Sequence, residues 1–167
     1  MISMGFANTS VRPLSELQPG QFFLHRQMDT VSLAIKINWM TSSGSAWLNL
    51  TGSNAFKLDA DTHGRKNVLH ANIDLTRLQL RIDHTSLPPD DRQHPLGKVV
   101  MDDRGKAGIA VVWTGLEDKD HRNVILLDGW EQTSVYTPSF IFDRWALSYP
   151  DETSQWVDLV RFPLSGA

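Results

Sequence analysis

Three alternate residues in the first half of the chain, followed by a glycine, resemble the start of a loop that binds a hard cation. Asp59, Asp61 and His63 alternate along the chain, and Gly64 follows them. Oxygen ligands on alternate residues before a glycine are typical of the start of a calcium loop. The twelfth position counted from Asp59 is His70, however, where such a loop needs a glutamate, and no helix is predicted before it. The sequence therefore favours a polar hairpin loop over a metal site.

The histidines give no second metal motif. They are His25, His63, His70, His84, His94 and His121. None has the paired spacing on a helix that zinc enzymes use. Asp83 and His84 can be drawn together with His94 across a proline-rich stretch, but almost any chain of this composition offers such a grouping. His25 and His70 lie within predicted strands, so we expect them to form hydrogen bonds in a sheet.

Catalysis by paired carboxylates or by a nucleophile finds little support. The carboxylate pairs lie in predicted turns, where aspartate is common because it bonds to its own backbone. These pairs are Asp90–Asp91, Asp102–Asp103, Glu117–Asp118 and Asp151–Glu152. The chain has no Gly-x-Ser-x-Gly elbow and no glycine-rich phosphate loop. The sequence therefore favours a non-catalytic protein without a cofactor, with a metal-assisted hydrolase that uses scattered histidines and aspartates as an alternative.

Tryptophan is unusually abundant, with six in 167 residues. An exposed indole face can stack on a sugar or an aromatic ligand, whereas a buried ring stabilises a core by about 2–3 kcal/mol. Trp130 follows Gly129 at a strand end, so we expect its ring to be the most exposed. Trp130 and Trp47 are the aromatic candidates for ligand binding, and core packing is the alternative for each.

Arginines supply the other candidate binding residues. Arg77 and Arg81 lie on alternate, outward positions of a predicted strand and can contact phosphates or acidic partners. Lys57, Arg65 and Lys66 extend the same basic face in this interpretation. The alternative is a solvated strand face whose charges discourage pairing with another sheet.

Strand patterns run through nearly the whole chain. In the segment Leu75–Asp83, leucine and isoleucine alternate strictly with polar residues, which predicts a half-buried strand. No segment of ten or more residues has helical periodicity. We therefore predict an all-β fold, an antiparallel barrel or sandwich of about ten to twelve short strands.

Two stretches are imperfect copies of each other. The first runs from Gly20 to Gly52 and the second from Gly97 to Gly129, with Trp39 matching Trp113 and Ile35 matching Ile109. This pattern indicates two similar lobes with a pseudo-twofold relation, although any two antiparallel hairpins share much of it. We expect one domain over residues 1–167, with possible lobes at 13–84 and 97–163 joined by a proline-rich linker at 85–96.

Composition and net charge limit the classes of partner that the sequence predicts. A net charge of −3 gives no reason to expect nucleic acid or an anionic membrane as a partner, and the chain has no cysteine. No apolar run approaches the roughly 20 residues of a membrane helix, and the first residues lack a secretory pattern, so we expect a soluble cytoplasmic protein. The favoured function is a binding module that holds a small molecule, a carbohydrate or a protein at aromatic residues near strand ends. A homo-oligomeric assembly protein is the alternative from another class.

Overall fold

The computed structural model describes residues 9–27, 29–39, 44–63, 65–83, 96–113, 123–134, 138–151 and 153–163, and this part of the chain is all-β, as predicted. Its strands are β1 (Thr9–Pro13), β2 (Phe22–Gln27), β3 (Thr30–Ile37), β4 (Ser45–Asn49), β5 (Lys57–Asp61), β6 (Asn67–Ala71), β7 (Gln79–Ile82), β8 (Val99–Met101), β9 (Ala107–Trp113), β10 (Asn123–Leu126), β11 (Gln132–Thr133), β12 (Phe140–Phe142), β13 (Trp145–Pro150) and β14 (Trp156–Phe162). Two 3₁₀ turns, Leu14–Glu16 and Leu75–Arg77, are the helical elements of the described residues.

The strands form one large and one small sheet. The large sheet has the order β1-β6-β2-β3-β4-β5-β9-β10-β11, with β8 and β12 attached beside β9, and the small sheet has the order β14-β13-β7. Among the described residues, all strand pairs are antiparallel except β5 and β9, which are parallel. The mixed large sheet, and the total of 14 described strands in the two sheets, correct the expectation of a purely antiparallel fold of ten to twelve strands. Hairpin neighbours must be antiparallel, whereas β5 and β9 come from distant parts of the chain and are free to run together.

The main core lies between the sheets. Alternate residues of the central strands face it, and the strands of the small sheet add Trp145, Leu147 and Val160 from the other side. Phe22, Ile35, Leu48 and Ile109 are fully buried at its centre. Inward-facing branched and aromatic side chains at every second position supply most of the stabilising burial.

Two three-stranded units of the large sheet have the same register. The first unit is β2-β3-β4 and the second unit is β8-β9-β10. Ile35 and Ile109 occupy corresponding positions in their middle strands, β3 and β9. Their paired neighbours are Phe22 and Leu48 in the first unit and Val99 and Ile125 in the second. The flanking strand is also placed alike, since β6 pairs with β2 as β12 pairs with β8.

Each unit reaches into the other at the segment after its third strand. Lys57 pairs with Val112 in parallel, and Asn38 forms a parallel bridge with Glu131. The rings of Trp39 and Trp113, at the ends of the two middle strands, lie 4.6 Å apart between centroids. Each unit therefore pairs with a segment of the other unit, and the rings of Trp39 and Trp113 are in contact between the two units.

One predicted strand is shorter than its pattern indicated. Leu75–Arg77 forms a 3₁₀ turn, and only Gln79–Ile82 pairs with β13. The Asp74 carboxylate accepts hydrogen bonds from the Thr76 backbone N–H at 3.0 Å and from its hydroxyl at 2.7 Å. This local cap stabilises the turn, so the alternation before Gln79 is not that of a strand.

Several predicted features lie outside the described residues. They are most of the linker at 85–96, His84, His94, His121, Gly64 and the carboxylates at 90–91, 117–118 and 152. Strands from both predicted lobes take part in both sheets. Within the described part of the chain, no helix is long and apolar enough to cross a membrane.

Candidate functional site: an arginine groove on the small sheet

An open groove of about 450 Å³ lies at one end of the small sheet, where β7, β13 and β14 meet. The residues that carry its chemistry are Arg81, Arg144, Trp145, Ala146, Arg161 and Phe162. Three arginines thus line a concavity whose remaining lining includes two aromatic residues. We call this feature the arginine groove.

Strand register explains why two of the arginines flank the groove. Ala146 of β13 pairs with Arg81 of β7 on one side and with Arg161 of β14 on the other. Side chains that are directly paired across antiparallel strands point to the same face. The methyl group of Ala146 is small, so it leaves a low floor between two long cationic side chains.

A β-bulge aligns Arg161 with a carboxylate. The register shifts between Leu147 and Ser148, so that Ser148 pairs with Asp158 while Ala146 pairs with Arg161. Asp158 and Arg161, three residues apart, therefore lie on one face, which strict alternation would not allow. Arg161 donates two hydrogen bonds to Asp158, one of them from Nε at 2.9 Å.

Asp158 is the negative centre of this face. The Ser148 hydroxyl donates to it at 2.6 Å, and Arg81 lies 3.9 Å away. Burial alone would raise the pKa of Asp158, but the hydrogen bonds from Ser148 and Arg161 and the two arginine charges outweigh it and lower the pKa. The carboxylate therefore stays ionised and holds the Arg161 side chain in place.

The groove keeps a cationic excess. Among the described residues, three arginines and Asp83 line it and Asp158 lies beside Arg81 and Arg161, which leaves one positive charge in balance (three minus two). Arg144 is exposed and has no ion-pair partner among the described residues. Its guanidinium is the group most available to an incoming anion.

The aromatic residues Trp145 and Phe162 form a rigid pair at the end of the groove, on the face of the small sheet that points to the main core. The rings of Trp145 and Phe162 are stacked, with centroids 6.2 Å apart and planes 13° apart. The Trp145 indole N–H donates to the Gly97 carbonyl at 2.8 Å, and Phe56 contacts both rings edge-on. Trp145 begins β13 and Phe162 ends β14, so aromatic residues do lie at strand ends here.

The predicted basic residues are separated in the structure. Arg81 lies in the groove, but Arg77 belongs to the second 3₁₀ turn, with its guanidinium 5.4 Å from the Tyr149 ring centroid. Lys57 and Lys66 lie by the large sheet instead. The structure therefore does not bring these residues together on one strand face, because Leu75–Arg77 is a turn and not a strand.

The two tryptophans that the sequence suggested for ligand binding do not offer an open ring face for stacking. Trp47 is buried among Phe23, His25 and Lys66, so neither ring face is available for stacking. Trp130 is half-buried and packs edge-on against Phe22 at 6.5 Å. The exposed indole belongs to Trp156, which is 44% accessible. These positions correct the expectation for Trp47 and Trp130, whose neighbours in space lie far away in sequence.

The candidate calcium residues form a turn of β5. The Asp61 carboxylate accepts the backbone N–H groups of His63 at 3.0 Å and of Lys66 at 2.8 Å. Asp59 accepts the Ala60 backbone N–H at 3.1 Å. No group of three or more histidines and carboxylates is placed to hold a metal ion within the described ranges.

A second polar cluster lies on the outer face of the first unit. His25 Nε2 is 2.9 Å from Asn49 Oδ1, and Lys66 Nζ is 3.2 Å from His25 Nδ1. The Trp47 indole N–H also donates to Asn49 Oδ1 at 3.1 Å. The first 3₁₀ turn covers this face, with Leu14 buried against Trp47. We call His25, Trp47, Asn49 and Lys66 the imidazole cluster.

Burial sets the ionisation of the imidazole cluster. It lowers the pKa of His25, and the nearby Lys66 charge lowers it further against a smaller opposing effect of the Asn49 hydrogen bond. Burial also lowers the pKa of Lys66, although the charges of Asp59 and Asp61 oppose this. Both shifts favour the neutral forms because a buried charge loses its solvation.

Sequence reasoning missed Arg144, Arg161 and the aromatic pair of Trp145 and Phe162. Alternation alone places Asp158 and Arg161 on opposite faces of their strand, and the bulge that unites them leaves no clear mark in the sequence.

Comparisons with known proteins give no relative: no family model, no curated protein and no solved structure matches this chain.

Proposed function

We propose that this protein is a non-catalytic binding module and that its ligand carries an anionic group held in the arginine groove. The observation that carries the proposal is the row Arg81–Ala146–Arg161, with Arg144 beside it, around a concavity of about 450 Å³. This volume lies within the usual range for small-molecule sites. Guanidinium groups suit carboxylates and phosphates because their planar donors bond to two oxygens at once.

Phe162 supports a ligand with a flat apolar part. Phe162 is half-buried at the end of the groove, and its ring is fixed by the stack on the buried Trp145. An anionic ligand with an aromatic ring can place its charge at the arginines and its ring against the accessible part of Phe162. The proposal thus keeps binding by an aromatic residue at a strand end and moves it from Trp130 and Trp47 to Phe162.

Calorimetric titration tests the proposal with three probes: phenyl phosphate, benzoate and inorganic phosphate. We expect phenyl phosphate to bind more tightly than inorganic phosphate because its ring also contacts Phe162. The comparison of phenyl phosphate with benzoate separates a phosphate site from a carboxylate site. Affinity should fall as salt rises from low to physiological concentration.

Arg144→Gln is the decisive variant, since Arg144 has no ion-pair partner within the described residues and its loss leaves the Asp158 bonds intact. We expect it to weaken phenyl phosphate binding by roughly tenfold. Arg104→Gln, in the exposed turn between β8 and β9, removes the same charge outside the groove and should change little. Equal losses in the two variants would reduce the effect to net charge and contradict the proposal.

Homo-oligomeric assembly is the second candidate, favoured by an exposed apolar strip near the β1 edge of the large sheet. Val11 is 73% and Val31 66% accessible, and both lie on the core-facing side of strands where Leu24 and Leu69 are half-buried. Edge strands with apolar side chains favour association. Light scattering of the wild type and of Val11→Lys should show an oligomer that the variant dissociates, and a concentration-independent monomer contradicts it.

For the architecture, we propose two similar lobes that arose by duplication. The support is the shared register of the two units, the exchanged pairs Lys57–Val112 and Asn38–Glu131, and the meeting of Trp39 with Trp113. An experimental structure that fails to superpose β2-β3-β4 on β8-β9-β10 would count against it. The cytoplasmic location stays a prediction from the sequence.

A further inference from the structure

The imidazole cluster places an amine beside a neutral imidazole. An ammonium or amine of lysine donates hydrogen bonds, so His25 Nδ1 is the acceptor in its 3.2 Å contact with Lys66 Nζ. His25 Nε2 then carries the proton and donates it to Asn49 Oδ1 at 2.9 Å. The contact geometry thus fixes one tautomer, with a basic lone pair directed at Lys66.

Asn49 is itself held in one orientation. Its amide Nδ2 donates to the Lys57 carbonyl at 3.0 Å, so Oδ1 faces His25 and Trp47. Asn49 is fully buried and His25 is 5% accessible. A base that is oriented by a third group and lies within hydrogen-bond reach of a nucleophile is the arrangement of covalent catalysis.

Backbone contacts hold Lys66 at the rim of this cluster. Its N–H donates to Asp61 Oδ2 at 2.8 Å, and its carbonyl accepts from Leu14 N–H at 2.8 Å. Its ammonium group lies 4.3 Å from the centroid of the Trp47 ring, and the residue is half-buried. A small molecule can therefore approach the amine, whereas the imidazole behind it is closed to solvent.

The second unit shows that the sheet does not need these polar residues. At the positions that correspond to Trp47 and Asn49 in register, β10 has Val124 and Leu126, which pack in a small apolar cluster. Burying hydrogen-bonded polar groups seldom adds more stability than apolar packing. The polar set of the first unit therefore calls for a chemical explanation.

We propose that Lys66 is a nucleophilic lysine that is modified by small carbonyl compounds such as aldehydes, with His25 as the proton acceptor and Asn49 as the residue that orients it. This site is separate from the arginine groove and does not depend on the proposed anion binding.

The reaction balances without an oxidant or a reductant. The unprotonated amine of Lys66 adds to the carbonyl carbon, its lone pair forms the C–N bond, and the π pair of the C=O bond moves to oxygen. His25 Nδ1 takes a proton from nitrogen and returns it to that oxygen, which gives a carbinolamine. The nitrogen lone pair then expels the hydroxyl, which leaves as water with a solvent proton, and the iminium returns a proton to solvent. One amine and one aldehyde yield one imine and one water.

Reductive labelling with butyraldehyde and cyanoborohydride, followed by peptide mass spectrometry, tests the proposal on the wild-type protein. Lys57 is the matched control, since it lies beside the cluster on β5 and is half-buried like Lys66. Lys36 is a second control: burial lowers its pKa, but it is only 8% accessible and bonds to the Leu14 carbonyl. We expect Lys66 to be labelled roughly tenfold faster than Lys57 at neutral pH, Lys36 to be protected, and Lys66 and Lys57 to react alike in urea.

The variant His25→Gln distinguishes base catalysis by His25 from simple exposure of Lys66 as the cause of fast labelling. Glutamine can keep hydrogen bonds to Lys66 and Asn49 but cannot take a proton. We expect Lys66 labelling in this variant to fall to the rate of Lys57, with tryptophan fluorescence reporting that the fold is kept. Wild-type labelling of Lys66 no faster than of Lys57 overturns the proposal, as does an unchanged Lys66 rate in a folded His25→Gln. The wild-type comparison stands alone if the variant does not fold.

Discussion

The first and second units share a register but differ on their outer faces. The first unit presents Phe23, Trp47 and Asn49 beside His25, covered by the first 3₁₀ turn. The second unit presents Val100, Val124 and Leu126, with Ile141 of β12 beside Val100 on the same face. One backbone arrangement therefore accepts either a hydrogen-bonded polar cluster or an apolar one. The difference shows that strand pairing and the inner core set the fold, while the outer faces are free to diverge.

The largest expected loss of stability comes from replacing Asn49 of the first unit by leucine, its counterpart in the second unit. Asn49→Leu copies Leu126 and removes the acceptor of both His25 and Trp47, which leaves two buried donors without partners. We expect a loss of about 3–5 kcal/mol in the free energy of unfolding, measured in urea. Adding Trp47→Phe and His25→Leu removes the two donors that have lost their acceptor and should recover part of the lost free energy of unfolding. A single variant as stable as the wild type would show that the cluster is not bonded as described.

Two glycines at equivalent positions test whether each unit packs against an aromatic ring from the other unit. Gly20 and Gly97 have φ of 89° and 83°, and an added Cβ would lie 2.8 Å from the Trp130 ring and 2.6 Å from the Phe56 ring, respectively. We expect Gly20→Ala and Gly97→Ala each to lose about 2–3 kcal/mol, from the left-handed backbone and the clash together.

Gly105→Ala is the matched control for these glycines. Its φ is 79°, but nothing lies within 4 Å of an added Cβ, so we expect only the backbone cost of about 1 kcal/mol. Chemical denaturation of the three variants separates the two contributions. Equal losses in all three variants would show that the ring contacts between the units do not contribute to stability.

Stability should fall as the pH is lowered below neutral. Burial lowers the folded-state pKa of His25 and of His70, so the unfolded chain binds protons more readily between that pKa and 6.5. Stability is therefore complete above about pH 6.5 and is lost as the pH falls through this range. Lys66 and Arg12 add to the effect by charge, whereas Asp59 opposes it.

His25→Gln should flatten this pH profile in part, because His70 keeps its contribution. Thermal unfolding between pH 7.5 and 5 measures the slope. A profile that His25→Gln leaves unchanged would mean that His25 does not titrate with folding.

The smallest effect is expected where the two units meet symmetrically. Trp39→Leu and Trp113→Leu should each destabilise the protein to a similar extent, since the rings lie 4.6 Å apart between centroids and both are half-buried. A double-mutant cycle should give a coupling of about 0.5–1.5 kcal/mol. Additive losses would show that the rings do not interact.

The sequence allowed the all-β class and most strands to be predicted, because alternation with a period of two is written in each segment. It also placed Arg81 on a solvent-facing strand. The burial of Trp47 agrees with the core-packing alternative, but the 3₁₀ turn that covers it was not predictable as its neighbour, since that turn lies more than 30 residues away in the chain. The site as a whole was hidden for the same reason: Arg161 joins Asp158 only through a bulge, and Arg144 joins them only through the pairing of β13 with β7 and β14.

Amide chemical-shift mapping with phenyl phosphate tests the central functional proposal most directly. The account predicts saturable shifts confined to β7, β13 and β14 around Arg81, Ala146 and Arg161, with the two outer faces of the large sheet unaffected. Saturable shifts centred elsewhere, or none at millimolar ligand, would contradict an anion-binding arginine groove.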